Sequence, residues 1–153
     1  MFDIIKKVLG KTVATGADAK DDTQSAHIAL CVLLLEAAHV DGECSDDEKK
    51  HVVTTMTEKC GVSREEIDQL IASADKKRKE SIDLFSFTRY MNNNFTKEER
   101  ITVMESVWRI IHIDGRLEAH EDHFAHKLAN LLRLTHKELI NSKIKARQQL
   151  ANT

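Results

Sequence analysis

HVDGECSDDE (residues 39–48) and HIDGRLEAHE (residues 112–121) are two copies of one phrase, 73 positions apart. Each runs His, an apolar residue, Asp-Gly, and then a Glu seven positions after the Asp. Asp-Gly is a helix stop, because Gly enters the left-handed conformation without steric cost and Asp bonds to nearby backbone N–H groups. In the first copy Ser45 and Glu48 then make a capping box that opens a new helix. The run leading into it, IALCVLLLEAAHV (28–40), is an apolar stretch of 13 residues interrupted by Glu36. That is too short to span a bilayer and reads as a buried helix. The phrase is therefore the turn of a helical hairpin, and the chain contains that hairpin twice.

The remaining sequence agrees. There is no proline and there are five glycines, a composition that favours long helices joined by short turns. Apolar residues follow the helical period at Leu84, Phe87, Tyr90 and Met91 and again at Phe124, Leu128, Leu131 and Leu132. Four capping-box patterns mark helix starts: Ser45–Glu48, Ser63–Glu66, Thr96–Glu99 and Thr135–Glu138. Helices are expected at 2–9, 22–40, 46–60, 64–78, 82–94, 97–113, 119–133 and 136–150. The fold class is all-α, seven to eight helices in a single domain with two pseudo-symmetric helix–DG turn–helix units. Each hairpin is followed by a capped third helix, at Val62–Ile67 in one unit and Leu134–Leu139 in the other. The offset between units is 73 across the turn and 72 afterwards, so one residue is gained or lost in between. Residues 1–21 are expected to form a short helix and a polar linker (10–22), and residues 22–153 the domain.

Bulk properties narrow the function. At 153 residues the chain is long enough for its own core. A net charge of −2 argues against a nucleic-acid binder that works by bulk electrostatics. Cys31, Cys44 and Cys60 contain no CxxC and leave one cysteine unpaired, which suits a reducing cytoplasm. No segment reads as a transmembrane span. Residues 1–9 read as a short helix docked on its own domain, with peripheral membrane contact as the weaker alternative. The run KKRKE (76–80) reads as a helix C-terminus. Phe85, Phe87, Tyr90, Phe95 and Trp108 are expected in the core. Nothing resembles a P-loop, a GxSxG elbow or an HExxH zinc site, so no enzyme is expected.

The second DG turn carries the chemistry. Glu118 replaces the capping Ser, and Asp114, Glu118, Glu121 and Asp122 fall within nine residues. Crowded carboxylates repel unless a cation or basic side chains offset them. Arg109 and Arg116 are the basic candidates, and a hard cation bound through oxygen is the alternative. Neither copy is an EF-hand alone, because the first and third ligand positions would be Ile110 and His112, or Ala37 and His39. A site shared between the two turns restores ligand number. Asp114, Glu121 and Asp122 would be the main oxygen donors, Asp41 and Glu48 would complete the set, and His39 and His112 would be available to a borderline metal. His120, His123 and His126 form a second candidate cluster on one side of a helix.

EAAHVDGECSDDEKK, IDLFSFTRYMN and VWRIIHIDGRLEAHEDHFAHKLANLLRL resemble the TerB family of tellurite-resistance-associated proteins, over about residues 22–145. The resemblance is strongest to the family's stand-alone bacterial branch. Trp108 followed by the DGR-L-E-x-x-ED run is the specific part. The resemblance implies an all-helical fold with an internal repeat, a cytoplasmic location and an association with stress responses to toxic oxyanions. It also implies a divalent-cation site at the DG turns, on Asp41, Glu48, Asp114 and Glu121. Arg109 departs from the pattern, since relatives often carry an acid after the tryptophan. The expected function is a non-enzymatic, stress-associated binding module that engages a divalent cation (Ca, Mg, Mn or Zn) or a basic surface on another protein. The alternative is a protein–protein interaction scaffold without metal, in which these acids only cap helices.

Overall fold

The computed structural model describes residues 16–40, 44–80, 84–113 and 119–151. They form seven α-helices: α1 (Gly16–Ala38), α2 (Asp46–Thr54), α3 (Arg64–Glu80), α4 (Phe85–Asn94), α5 (Lys97–Ile111), α6 (Ala119–Leu131) and α7 (His136–Ala151). No strand occurs among the described residues. The helix expected at 2–9 lies outside them. Helix α1 begins at Gly16, so residues 16–21, expected as linker, are helical.

The repeat is visible as two three-helix units, α1–α2–α3 and α5–α6–α7. In each, the first helix packs on the second and the third, and α1 and α5 pack on each other between the units. Helix α4 bridges α1 and α6. Lys97 pairs with Glu138, Glu105 with Lys145 and Arg109 with Gln149, so α5 and α7 run parallel. Leu30, Val32, Leu33 and Leu34 of α1 and Val103, Met104, Val107, Trp108, Ile110 and Ile111 of α5 are buried completely or nearly so. Every residue of α5 from Thr102 to Ile111 is buried. A helix enclosed on all sides needs neighbours on all sides, and duplication supplies them.

Local chemistry explains the helix boundaries. Ser45–Glu48, Thr96–Glu99 and Thr135–Glu138 each form both bonds of a capping box. At Ser63, α3 starts on backbone bonds, with Glu66 N and Ile67 N donating to Ser63 O. The change of offset from 73 to 72 has a physical form. A π-helical turn, Thr55–Lys59, continues α2 and holds one residue more than the regular α-helix at the matching place in α6.

Both hairpins end in a left-handed residue. Leu134 N donates to Ala129 O and Arg133 N to Asn130 O, the two bonds of a Schellman motif, whereas Val62 N reaches one residue further back, to Met56 O, across the π-helical turn. The preceding residues, Gly61 and Arg133, are both left-handed, at φ 73° and 58°. The left-handed position is thus filled once with the favoured residue and once with a strained one. A Cβ at Gly61 would meet nothing within 4 Å, so substitution there carries only the conformational cost. We predict opposite signs at equivalent positions. Gly61→Ala should lose about 1 kcal/mol and Arg133→Gly should gain a similar amount, read from urea unfolding midpoints. Equal signs would contradict the assigned caps.

Candidate functional site

Asp41 and Asp114, with Gly42, Gly115 and Glu118, lie outside the described residues. The structure does place the groups on either side of each turn, and it places them alike. His39, after the last turn of α1, donates from Nδ1 to Leu35 O at 2.7 Å. His112, the C-cap of α5, donates from Nδ1 to Trp108 O at 2.9 Å. A carbonyl oxygen only accepts, so each bond puts the proton on Nδ1 and, in the neutral ring, the lone pair on Nε2. Beyond each turn a glutamate is folded inward, Glu48 at 5% exposure and Glu121 at 4%. Glu48 Oε1 accepts from Ser45 N at 3.1 Å, so one oxygen is already engaged as a helix cap.

The expected ligands are therefore only partly brought together. His39 and Glu48 flank the first turn, and His112 and Glu121 flank the second. Asp122 turns along α6 instead, with its Oδ2 3.6 Å from His126 Nε2. Among the described residues, no three of His, Cys, Asp or Glu converge closely enough to hold a metal ion. The His120–His123–His126 cluster is not assembled as a chelate either: His126 stacks on His136 of α7, rings parallel and 6.0 Å apart. Phe85, expected in the core, is 56% exposed. KKRKE does close α3, but Arg78 is committed, with bonds to Glu36 at 3.1 Å and to Asp75 at 2.8 Å. Burial works against the Asp75 carboxylate, but hydrogen bonds from Arg78 and Lys79 prevail and hold it below its ordinary range.

A second group escaped the sequence reading. Thr102, Glu105, Ser106 and Arg109 occupy one stripe of α5, at helical spacing, and all are buried. They face α7. Arg109 donates to Ser106 Oγ at 2.8 Å and to Gln149 Oε1, and Glu105 meets Lys145 at 3.6 Å. Ser142 of α7 is buried in the same seam. By the repeat offset these positions match Ala29, Val32, Leu33, Glu36 and Leu70 of unit one. Unit one thus packs its first and third helices with Ala29, Val32, Leu33 and Leu70 where unit two uses polar groups, and keeps one charged contact, between Glu36 and Arg78. Burying a Val or Leu side chain contributes about 1.5–3 kcal/mol, whereas a net hydrogen bond contributes about 1 kcal/mol. Arg109 replaces the acid that unit one keeps as Glu36, so the cross-helix arginine has changed sides: Arg78 reaches from the third helix, Arg109 from the first.

Burial dominates the ionisation of this seam. It pushes the Glu105 carboxyl above its ordinary range, against the pull of Lys145 and Arg109. It also lowers Arg109 to about 10, against the pull of Glu105. The folded chain therefore takes up the Glu105 proton at higher pH than the unfolded chain. Its stabilising share is present below the ordinary carboxylate range and is lost as pH rises through the folded value. Relative to Glu105→Gln, the wild-type protein should gain stability on acidification from neutral pH into the carboxylate range. A pH-independent difference between the two unfolding curves, or a slope of opposite sign, would show that Glu105 is not desolvated as described.

No described helix is long and apolar enough to cross a membrane. Neither a curated protein nor a solved structure matches the chain. A family model described as tellurite resistance protein TerB matches residues 27–144, from the middle of α1 into α7, taking in both units and both DG turns. The chain belongs to the TerB family.

Proposed function

We propose that this protein is a non-enzymatic binding module whose two DG turns take up a divalent cation. The observation that carries the reading is the matched pair of histidines. Histidines that ligate metals characteristically donate their other ring N–H to a carbonyl or carboxylate, which fixes the tautomer and aims the ring. His39 and His112 both do so, to the carbonyl four residues back, at the same place in each unit. Glu48 and Glu121 stand across the two turns from them, both drawn inward. With Asp41 and Asp114 from the turns, the donor set is mixed nitrogen and oxygen. That chemistry suits zinc or manganese better than calcium or magnesium, which prefer oxygen alone. A cytoplasmic, stress-linked role agrees with the family.

The runner-up is an interaction scaffold without metal, whose partner is another protein. The Ser45–Glu48 capping box favours it, because Glu48 is used there without any ligand. The same argument makes the second turn the better place for a cation, since a Glu stands at position 118 where the first unit has its capping Ser45.

Titrating metal-stripped protein with zinc, manganese, calcium and magnesium separates the readings. A cation that binds only the folded state stabilises it by linkage, by about 2.7 kcal/mol at a hundredfold excess over the dissociation constant. The melting temperature should rise with zinc or manganese, and Asp114→Asn should abolish most of the rise. No shift at millimolar ion, or an unchanged shift in the variant, would leave the scaffold reading in its place. Metal-dependent turnover of phosphoesters would overturn the non-enzymatic assignment.

A further inference from the structure

Helix α7 is held on α5 through a seam whose polarity the architecture does not demand. Unit one makes the same pairing of first and third helix with Val32, Leu33 and Leu70, all buried, and with one partly exposed ion pair, Glu36 to Arg78 at 3.1 Å, whose charged atoms are partnered. In unit two, Glu105 is 3% exposed, yet its Oε2 has no hydrogen-bond partner. Trp108 Nε1, on the same helix, is fully buried and likewise has none. Lys143 of α7 lies over the Trp108 ring, its Nζ 5.2 Å from the centroid. Buried polar atoms without partners favour any excursion that lets them reach water. Parting α7 from α5 hydrates Glu105, Arg109 and the indole N–H in one movement. Parting α3 from α1 exposes Val32, Leu33 and Leu70 and breaks the Glu36–Arg78 pair, which opposes the movement.

We propose that α7 is a releasable helix, which leaves α5 as a unit and uncovers Trp108 while the rest of the fold stays packed. The contact pattern permits this. The substantial contacts of α7 are with α5 and α6, whereas α5 is also packed by α1 and α2, so the interface between the two units does not depend on α7. The polar stripe of α5 is the device that sets how often release occurs, and unit one is its internal control.

Native-state hydrogen exchange on the full chain tests the proposal. Seam-facing amides of α7 should exchange about tenfold faster than those of α3. The indole N–H of Trp108, the protein's single tryptophan, should exchange at the α7 rate. Replacing the charged pair with hydrocarbon of similar size, Glu105→Leu with Arg109→Met, should slow α7 exchange toward that of α3 and leave α3 unchanged. The proposal is overturned if α7 in the wild-type protein is as well protected as α3, or if the indole exchanges only with global unfolding. It is also overturned if the double variant folds and keeps the wild-type ratio. The wild-type comparison decides even if the variant fails to fold.

Discussion

The pairing of α1 with α5 is the constraint on which the rest of the structure depends. Both helices carry apolar side chains around most of their circumference, and the stretch Thr102–Ile111 is buried on every side. Neither helix is stable in water with such a surface. Each unit's second and third helices cover part of its first helix, the other unit's first helix covers a further part, and α4 also packs on α1. Once two hairpins are joined in this way, the residues on either side of each turn are placed by the helices that carry them. His39 and His112 occupy matched positions for that reason, as do Glu48 and Glu121. Any chemistry at the DG turns is inherited twice from one local design.

Much of this was legible in the sequence because it is local. Helix stops and starts depend on residues within one turn of each other, and the doubled DG phrase with its capping residues marks them directly. The one-residue change of offset was legible as arithmetic but not as structure. Nothing in TMTEK announces a π-helical turn, since the extra residue is accommodated by the tertiary position of α2 and the chain that follows it. The early start of α1 at Gly16 was missed because its first turns are polar and glycine-led, which locally resembles linker.

The polar stripe of α5 was missed for a different reason. Thr102, Glu105, Ser106 and Arg109 at helical spacing look like the solvated face of an amphipathic helix. Only the parallel docking of α7 turns that face inward. Comparing the two units would have raised the question, since Val32 and Leu33 stand where Glu105 and Ser106 do. Phe85 errs the opposite way, an aromatic at helical spacing that the packing of α4 leaves largely outside. His126 was grouped with its neighbours on α6, yet its ring partner, His136, comes from the next helix. In each case the residue's surroundings are set by a contact that is remote in sequence.

The two units have diverged in complementary ways. Unit one keeps a largely apolar seam, a glycine in its left-handed cap and a true capping box at its turn. Unit two has a polar seam, an arginine in the left-handed cap and a glutamate in place of the capping serine. Departures from local stability rules are expected where a chain is adapted for function, and their gathering in unit two agrees with the second turn as the proposed cation site. The most direct test of the site is the state of its two histidines, followed by nitrogen-15 NMR of their side chains. Both His39 and His112 should be Nδ1–H tautomers in the neutral ring, and their Nε2 resonances should shift together on addition of zinc. Nε2–H tautomers, or ring resonances indifferent to the metal, would contradict the account.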